Sequence, residues 1–452
     1  MTRSPSSAVL PGLVVLLFAG WTVFNLVAPK ATFTIGIYND YASRARSTSL
    51  RAMYDEKWVE YPPLAVGLLL ATRHVTDALE PVLRPTASPE KHPAAADLRR
   101  FGRTFGVFGC AVQVLVFWGL FRLCRRLFPE ESPAEFSRRL FVYVAGSLLM
   151  TDLVYQRLDA VLAALVFLSV ALLGTGRWVA SFAVLAAAIA FKLVPVALVP
   201  LWLFASLPGD VRARWRPGRG LRVLATAVAG RGALLAAFVA AWVLPFSLAG
   251  GPRCFAFLDY HRARGVHCES TYGAVLMLLR WCGYAFETQF RFGCWELHSP
   301  LAARLGVAST PLLAGGLLAA ALLGFVNLGP DVPGDRPGRT APDLGRLVAL
   351  TVLTLMAFAG LGKVFSPQYA LWVIPLVPLV PLRGRSRDWF FGLFLLACLL
   401  TRLAHPAFRQ ILNGRGALLP TVVLTTRALL WFGLIGWLAV LTFRPGHRPD
   451  PS

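Results

Sequence analysis

Apolar stretches of about twenty residues recur from one end of the chain to the other, which is the length of a helix that crosses the hydrocarbon of a bilayer. The first covers residues 8–28. Others follow near 104–123, 139–151, 159–174, 178–191, 193–206, 231–249, 304–327, 346–362, 369–382, 389–404 and 418–443. Within lipid the backbone must satisfy its own hydrogen bonds, which leaves helices or a closed barrel. A barrel reads as short alternating segments, and these runs do not alternate. The first run lacks a clean small-residue cleavage site and reads as a retained span. The expectation is an all-α polytopic membrane protein of about twelve spans. The shorter runs suit broken helices that line a cavity inside the protein. Composition agrees: of 452 residues 56% are hydrophobic and only 15% charged, against roughly 25% in soluble domains.

The charge that is present is lopsided, +22 overall. In a soluble chain that excess would suggest nucleic acid. Here arginine in loops and at lipid headgroups accounts for it, and nucleic acid is excluded as a partner. With both termini in the cytoplasm, the arginine-rich stretches "FRLCRRLFPEESPAEFSRR", "GDVRARWRPGRGLR", "GDRPGRTAPDLGR", "RGRSRD" and "FRPGHRP" all fall inside, as the positive-inside rule asks. The opposite side then collects "EYPP", "QRLD", "FK", "YHRARGVHCES", "KVFSPQ", "HPAFRQ" and Asp40. Polar chemistry gathered on one side predicts a site at the outer membrane face.

Each cluster also has an ordinary structural reading. Asp40 suits a loop or a helix N-cap, and residues 43–58 suit a helix lying on the headgroups. Glu60 and Tyr61 precede Pro62 and Pro63, a helix start. Arg157 and Asp159 at a span mouth suit an ion pair. Lys192, in an apolar run beside a proline, snorkels or lines a cavity. His261, Arg262 and Arg264 are placed to hold an anionic phosphate, and Glu269 beside Ser270 suits the start of a helix. Lys363, Ser366 and Gln368 mark a break between spans. Cys254, Cys268, Cys282 and Cys294 share the long outer loop, residues 250–303, where an oxidising compartment permits one or two disulfides. Their pairing is open. The Cys/His spacing does not suit zinc.

Together and in this order, the stretches "MYDEKWVEYPPL", "RLDAVLAAL", "AFKLVPVALVPLWL", "RARGVHCESTYG" and "KVFSPQYALWVIPL", preceded by an aspartate after the first span, resemble glycosyltransferase family 87 of the GT-C superfamily. The resemblance runs from about residue 38 to residue 376. It departs at "SLRAMY", where the family has a glycine, and at His267 and Cys268. It implies one transmembrane module over 1–452, with the catalytic acid in a first outer loop over 30–103. That acid falls on Asp40. The family's proline pair falls on Pro62 and Pro63, its arginine/glutamate segment on Arg264 and Glu269, and its late lysine and glutamine on Lys363 and Gln368. It further implies transfer of a sugar, mannose in characterised members, from a polyprenyl-phosphate donor to a lipid or glycan acceptor of the cell envelope.

Chemistry defines what such a site needs. The sugar passes through an oxocarbenium-like centre, and the lipid phosphate leaves readily. The demand is a carboxylate that takes the acceptor's proton, with Asp40 first and Asp55, Glu60 and Asp159 in reserve. Basic groups must also hold the phosphate: Lys363, Arg262, Arg264 and Lys192. No paired carboxylates argue for a nucleotide-sugar cation, so no metal or other cofactor is expected. Two other classes fit a polytopic chain. A secondary transporter typically shows repeated halves, and none is visible. A lipid-linked glycan ligase or polymerase would share the outer site.

Overall fold

The computed structural model describes residues 6–27, 32–57, 59–83, 93–207, 221–328, 343–412 and 418–443. The arginine-rich stretches 209–220 and 334–342 and the tail after 443 lie outside these residues, as do the side chains of 6–9, 80–83, 93, 221, 405–412 and 443.

The chain is helical nearly throughout. In order it forms α1 (Ser6–Val27), α2 (Phe33–Ser47), α3 (Leu50–Glu56), α4 (Pro63–Leu83), α5 (Pro93–Leu127), α6 (Pro133–Leu149), α7 (Thr151–Gln156), α8 (Asp159–Gly174), α9 (Trp178–Phe191), α10 (Val199–Ala205), α11 (Leu221–Gly250), α12 (Phe257–Ala263), α13 (Thr271–Trp281), α14 (Pro300–Asn327), α15 (Leu344–Leu361), α16 (Gly384–Leu412) and α17 (Leu418–Phe443). Six of these helices are long and apolar enough to cross a membrane: Leu10–Val27, Ala94–Leu127, Arg222–Gly250, Pro300–Asn327, Leu344–Leu361 and Leu418–Thr442. Shorter apolar helices occupy 159–174, 178–191, 194–205 and 367–379. The last two contain 3-10 turns at Val194–Leu198, Pro367–Trp372 and Val377–Leu379. Pro195, Pro200, Pro367, Pro375, Pro378 and Pro381 withhold the amide donors that an α-helix needs there. The 369–380 stretch is buried throughout within the protein, where irregular backbone is tolerated at membrane depth.

Helix ends follow local chemistry. Ser132 and Glu135 form a reciprocal capping box that opens α6, satisfying two otherwise orphaned amides. Ser49, Ser270 and Ser299 cap α3, α13 and α14 with their hydroxyls. Pro63 begins α4 as the double proline predicts.

Most of the core is one cluster centred on α15, whose residues are nearly all buried. A smaller cluster lies in the outer segment, around Val266, Tyr272, Leu276, Leu297 and Leu424. That segment holds the one departure from helix among the described residues, a three-stranded antiparallel sheet in the order β1-β3-β2. The strands are β1 (Val266–His267), β2 (Glu287–Arg291) and β3 (Cys294–His298).

Two expectations are corrected. All seven cysteines are free thiols, including the four of the outer segment. Cys254 and Cys268 are buried in apolar packing, and Cys294 accepts a hydrogen bond from Arg264 at 2.9 Å. The expected headgroup helix over 43–58 is instead two helices, 33–47 and 50–56, because Thr48 and Ser49 break the run and Ser49 caps the second.

Candidate active site

Asp40 lies within α2, on the side that its buried tyrosines leave free. Tyr38 and Tyr41 turn inward, and the Tyr38 and Tyr61 hydroxyls are 3.2 Å apart. Asp40 stays partly exposed between two cations, with Arg44 Nε at 2.8 Å and Lys57 Nζ at 3.2 Å. Burial works to raise its pKa, but the hydrogen bonds and charges of Arg44 and Lys57 outweigh it, and the carboxyl sits below its ordinary value of 3.8.

The helix carrying Asp40 is held in place by a second polar group that the sequence did not single out. Arg73 of α4 is buried. It donates to Asn39 Oδ1 at 3.1 Å and Asp97 Oδ2 at 2.7 Å, and pairs with Asp77 at 2.5 Å. Arg46 also pairs with Asp77. Asn39 and Arg46 belong to α2, so this network ties α2 to α4 and α5.

Inward of α2 the predicted residues converge from distant segments. Asp159, at the start of α8, is fully buried. Its Oδ1 receives Lys192 Nζ at 2.6 Å and Trp372 Nε1 at 2.7 Å, while its Oδ2 is buried without a partner. Lys192 reaches Asp159 because α9 ends at Phe191 and the chain turns extended at residue 192. Its ammonium also lies 5.7 and 5.5 Å from the Tyr369 and Trp372 ring centroids, attractive contacts for a cation. Arg157 sits between α7 and α8. Its charge acts on Tyr38, Tyr61, Asp159 and Glu60. Its guanidinium makes no hydrogen bond or ion pair among the described residues. Glu60 is half-buried and within electrostatic reach of Tyr41, Tyr61, Tyr260 and Cys294.

From the outer segment comes Arg264, whose Nε is buried without a hydrogen-bond partner, and from the turn after α15 comes Lys363, which donates to the Arg262 carbonyl at 3.0 Å. Burial, reinforced by Arg264, holds the Lys363 ammonium below its ordinary pKa against the pull of Glu296. Gln368 is half-buried just beyond, and His261 and Arg262 are exposed on α12.

Glu269 stands apart from this group. It is buried, its Oε2 is 4.0 Å from Arg427 Nη1, and Arg427 donates to its carbonyl. Glu269 thus joins the outer segment to α17. His267, Cys268 and Glu269 bring ligand-type atoms within 4.8 Å of one another. However, His267 Nδ1 is already hydrogen-bonded to the Phe365 carbonyl at 3.0 Å, and Arg427 occupies the carboxylate. A cation there would face a guanidinium.

The arrangement therefore gathers Glu60, Arg157, Asp159, Lys192, Arg264 and Lys363 at one end of the bundle, while Asp40, on the neighbouring α2, is held by Arg44 and Lys57. Glu296 of β3 joins them. It is buried, accepts from the Gly265 amide at 2.8 Å and acts on Lys363 and Cys294. It was missed because a lone glutamate in an ordinary outer loop carries no spacing signal.

No protein-family model matches the chain, and no curated protein matches it. Among solved structures, the chain is similar to the crystal structure of ArnT from Cupriavidus metallidurans bound to undecaprenyl phosphate. The identity is 16% and the TM-score 0.43, over 95% of this chain and 77% of that one. A likeness at that level carries no inference about activity.

Proposed function

We propose that the chain is a membrane glycosyltransferase of GT-C type, moving a sugar from a polyprenyl-phosphate donor to a lipid or glycan acceptor at the outer face of the cell membrane. One observation carries the reading: four cations from four separate segments (Arg157, Lys192, Arg264 and Lys363) lie at one end of a lipid-embedded bundle, beside carboxylates. Lys192 is paired with Asp159, but Arg157, Arg264 and Lys363 have no carboxylate within ion-pair distance among the described residues, and cations so placed are expensive and suit an anionic ligand. A lipid phosphate meets them without leaving the bilayer. The sequence resemblance supports the same reaction and is the sole support for mannose.

In this reading the acceptor hydroxyl oxygen attacks the anomeric carbon in a single inverting displacement. The bond from that carbon to the phosphate oxygen breaks, and the phosphate leaves with the electron pair, stabilised by Arg157, Arg264 and Lys363. The hydroxyl proton passes to Asp40, which is partly exposed and ionised. Asp159, sealed behind Lys192 and Trp372, orients Lys192. Glu60 contacts the sugar, with Tyr61 behind it. His261, Arg262 and Gln368 complete the binding surface, and Glu269 serves it through the fold. The reaction requires no metal.

The test is transfer of labelled sugar from a lipid-phosphate donor in membrane vesicles. Asp40→Asn is expected to cut the rate by about two to four orders of magnitude, the usual worth of a general base, with normal membrane insertion. Full activity in that variant sinks the assignment. Loss confined to Glu60→Gln moves the base to Glu60.

A further inference from the structure

The sheet has two unlike faces. Residues directly opposite across an antiparallel pair share a face, and alternate residues along a strand share it too. The register pairs His267 with Glu296, Gln289 with Glu296, Glu287 with His298 and Arg291 with Cys294. All seven side chains therefore lie on one face. Val266, Thr288, Phe290, Trp295 and Leu297 lie on the other, where Val266 and Leu297 enter the smaller apolar core. The polar face is turned toward the site, because Cys294 meets Arg264 there and Glu296 meets Gly265.

On that face two polar atoms have no hydrogen-bond partner, and they face each other as an ion pair only when the imidazole is protonated. Glu296 Oε2 and His298 Nε2 are both buried and unbonded, 3.7 Å apart. An unsatisfied buried carboxylate oxygen is costly and calls for a partner. Gly265 keeps the space beside it open, since a Cβ there would come within 3.0 Å of Oε2. The His298 side chain is about a third exposed at 32%. A hydroxyl can donate to the carboxylate and also meet the imidazole, and two neighbouring atoms suit two neighbouring hydroxyls.

We propose that this face is a sugar-binding surface on which Glu296 and His298 hold adjacent ring hydroxyls of the acceptor. The role of acceptor rests on the transfer reaction proposed above. The binding of sugar does not.

The two are separated by saturation-transfer-difference NMR on the full chain in detergent micelles without donor, with a panel of methyl hexopyranosides as probes. The wild type is expected to give ring-proton signals. Glu296→Gln keeps an oxygen for the Gly265 amide but presents an amide to the hydroxyl, and His298→Ala removes the imidazole. Each is expected to weaken the signal at least fivefold while eluting as the wild type does on gel filtration. Gly265→Ala, which narrows the space at Oε2, is expected to act in the same direction. No signal from the wild type, or equal signals from the wild type and all three variants, overturns the surface. Glycoside binding by a wild type that transfers no sugar in vesicles retains the surface and sinks the reaction instead.

Discussion

Asp40 is useful to an enzyme only as long as it is ionised, and its two neighbours set the pH at which that fails. Arg44 at 2.8 Å and Lys57 at 3.2 Å lower its pKa against the effect of partial burial. A lowered pKa means that the base form persists below the ordinary carboxylate range and is lost only as the pH falls through the lowered value. Removing one cation leaves desolvation less opposed, so the pKa rises. Lys57→Met is therefore expected to move the acid limb of the pH–rate profile upward, while the rate on the neutral plateau changes little. An unmoved acid limb would separate Asp40 from the proton transfer. The cation chosen matters, because Arg44 also contacts Glu56 at 3.4 Å, whereas Lys57 is outside both helices and its removal disturbs less. At this scale the sequence is legible where a residue breaks its surroundings. Asp159 and Lys192 stand out as charges in apolar runs, and they do meet. Arg73, Asp77 and Asp97 pass unnoticed because three charges scattered through an arginine-rich loop look solvated. Only the fold shows that Arg73 is buried among them.

Whole elements are harder to read than residues when their pattern is mixed. The helix Pro63–Leu83 does not read as a span, because Arg73, His74, Asp77 and Glu80 interrupt its apolar run and cost it that signature. Its first half packs in the core, and Arg73 and Asp77 bind Asn39 and Arg46 of α2. The strands are only two to five residues long, and β2 is so exposed that its alternation gives no buried face to detect. Where a local rule does operate, the element starts as expected: Ser270 accepts from the Gly273 amide at 3.0 Å and opens α13. Gly273 carries a second constraint that spacing alone does not reveal. A Cβ at that position would collide with the carbonyl of Cys268 and come within 2.8 Å of the carbonyl of His267. Both obstacles are backbone, so no rotamer change relieves them. Gly273→Ala must displace the 267–268 segment that pairs with β3. The cost is expected to be on the order of 1–3 kcal/mol, as for overpacking elsewhere, read as a lowered midpoint of thermal unfolding in detergent. An unchanged midpoint would show that β1 is not held as described.

The molecule as a whole has two polar ends and an apolar waist, and this is what the charge pattern along the chain encoded. At one end Arg139 is fully buried. It meets Glu131 at 2.6 Å and the carbonyls of Pro378, Val380 and Leu382 at 2.7, 3.1 and 2.7 Å. Arg138 pairs with Asp388 at 2.8 Å, and Arg387 with Glu131 at 3.3 Å. The two arginine-rich stretches predicted to share a side of the membrane thus touch each other. The helix Leu344–Leu361 links the ends. It starts beside Pro381, which a Cβ on Gly345 would approach to 3.0 Å, and it leads into Lys363 at the site. Eighteen residues at the helical rise span roughly 27 Å, close to the hydrocarbon thickness of about 30 Å. The two ends therefore face opposite aqueous compartments. On the positive-inside rule the arginine end is expected in the cytoplasm and the proposed site outside. Cys282 is exposed at the outer end, and Arg385 is exposed at the other. A membrane-impermeant maleimide on intact cells is expected to label the native Cys282. In a Cys282→Ser background carrying Arg385→Cys, labelling should appear only after the membrane is permeabilised. The reverse order would invert the topology and put the donor's phosphate on the cytoplasmic leaflet. Since Asp40, Lys363 and the sheet all lie at the Cys282 end, the one labelling experiment fixes the side on which every proposed step takes place.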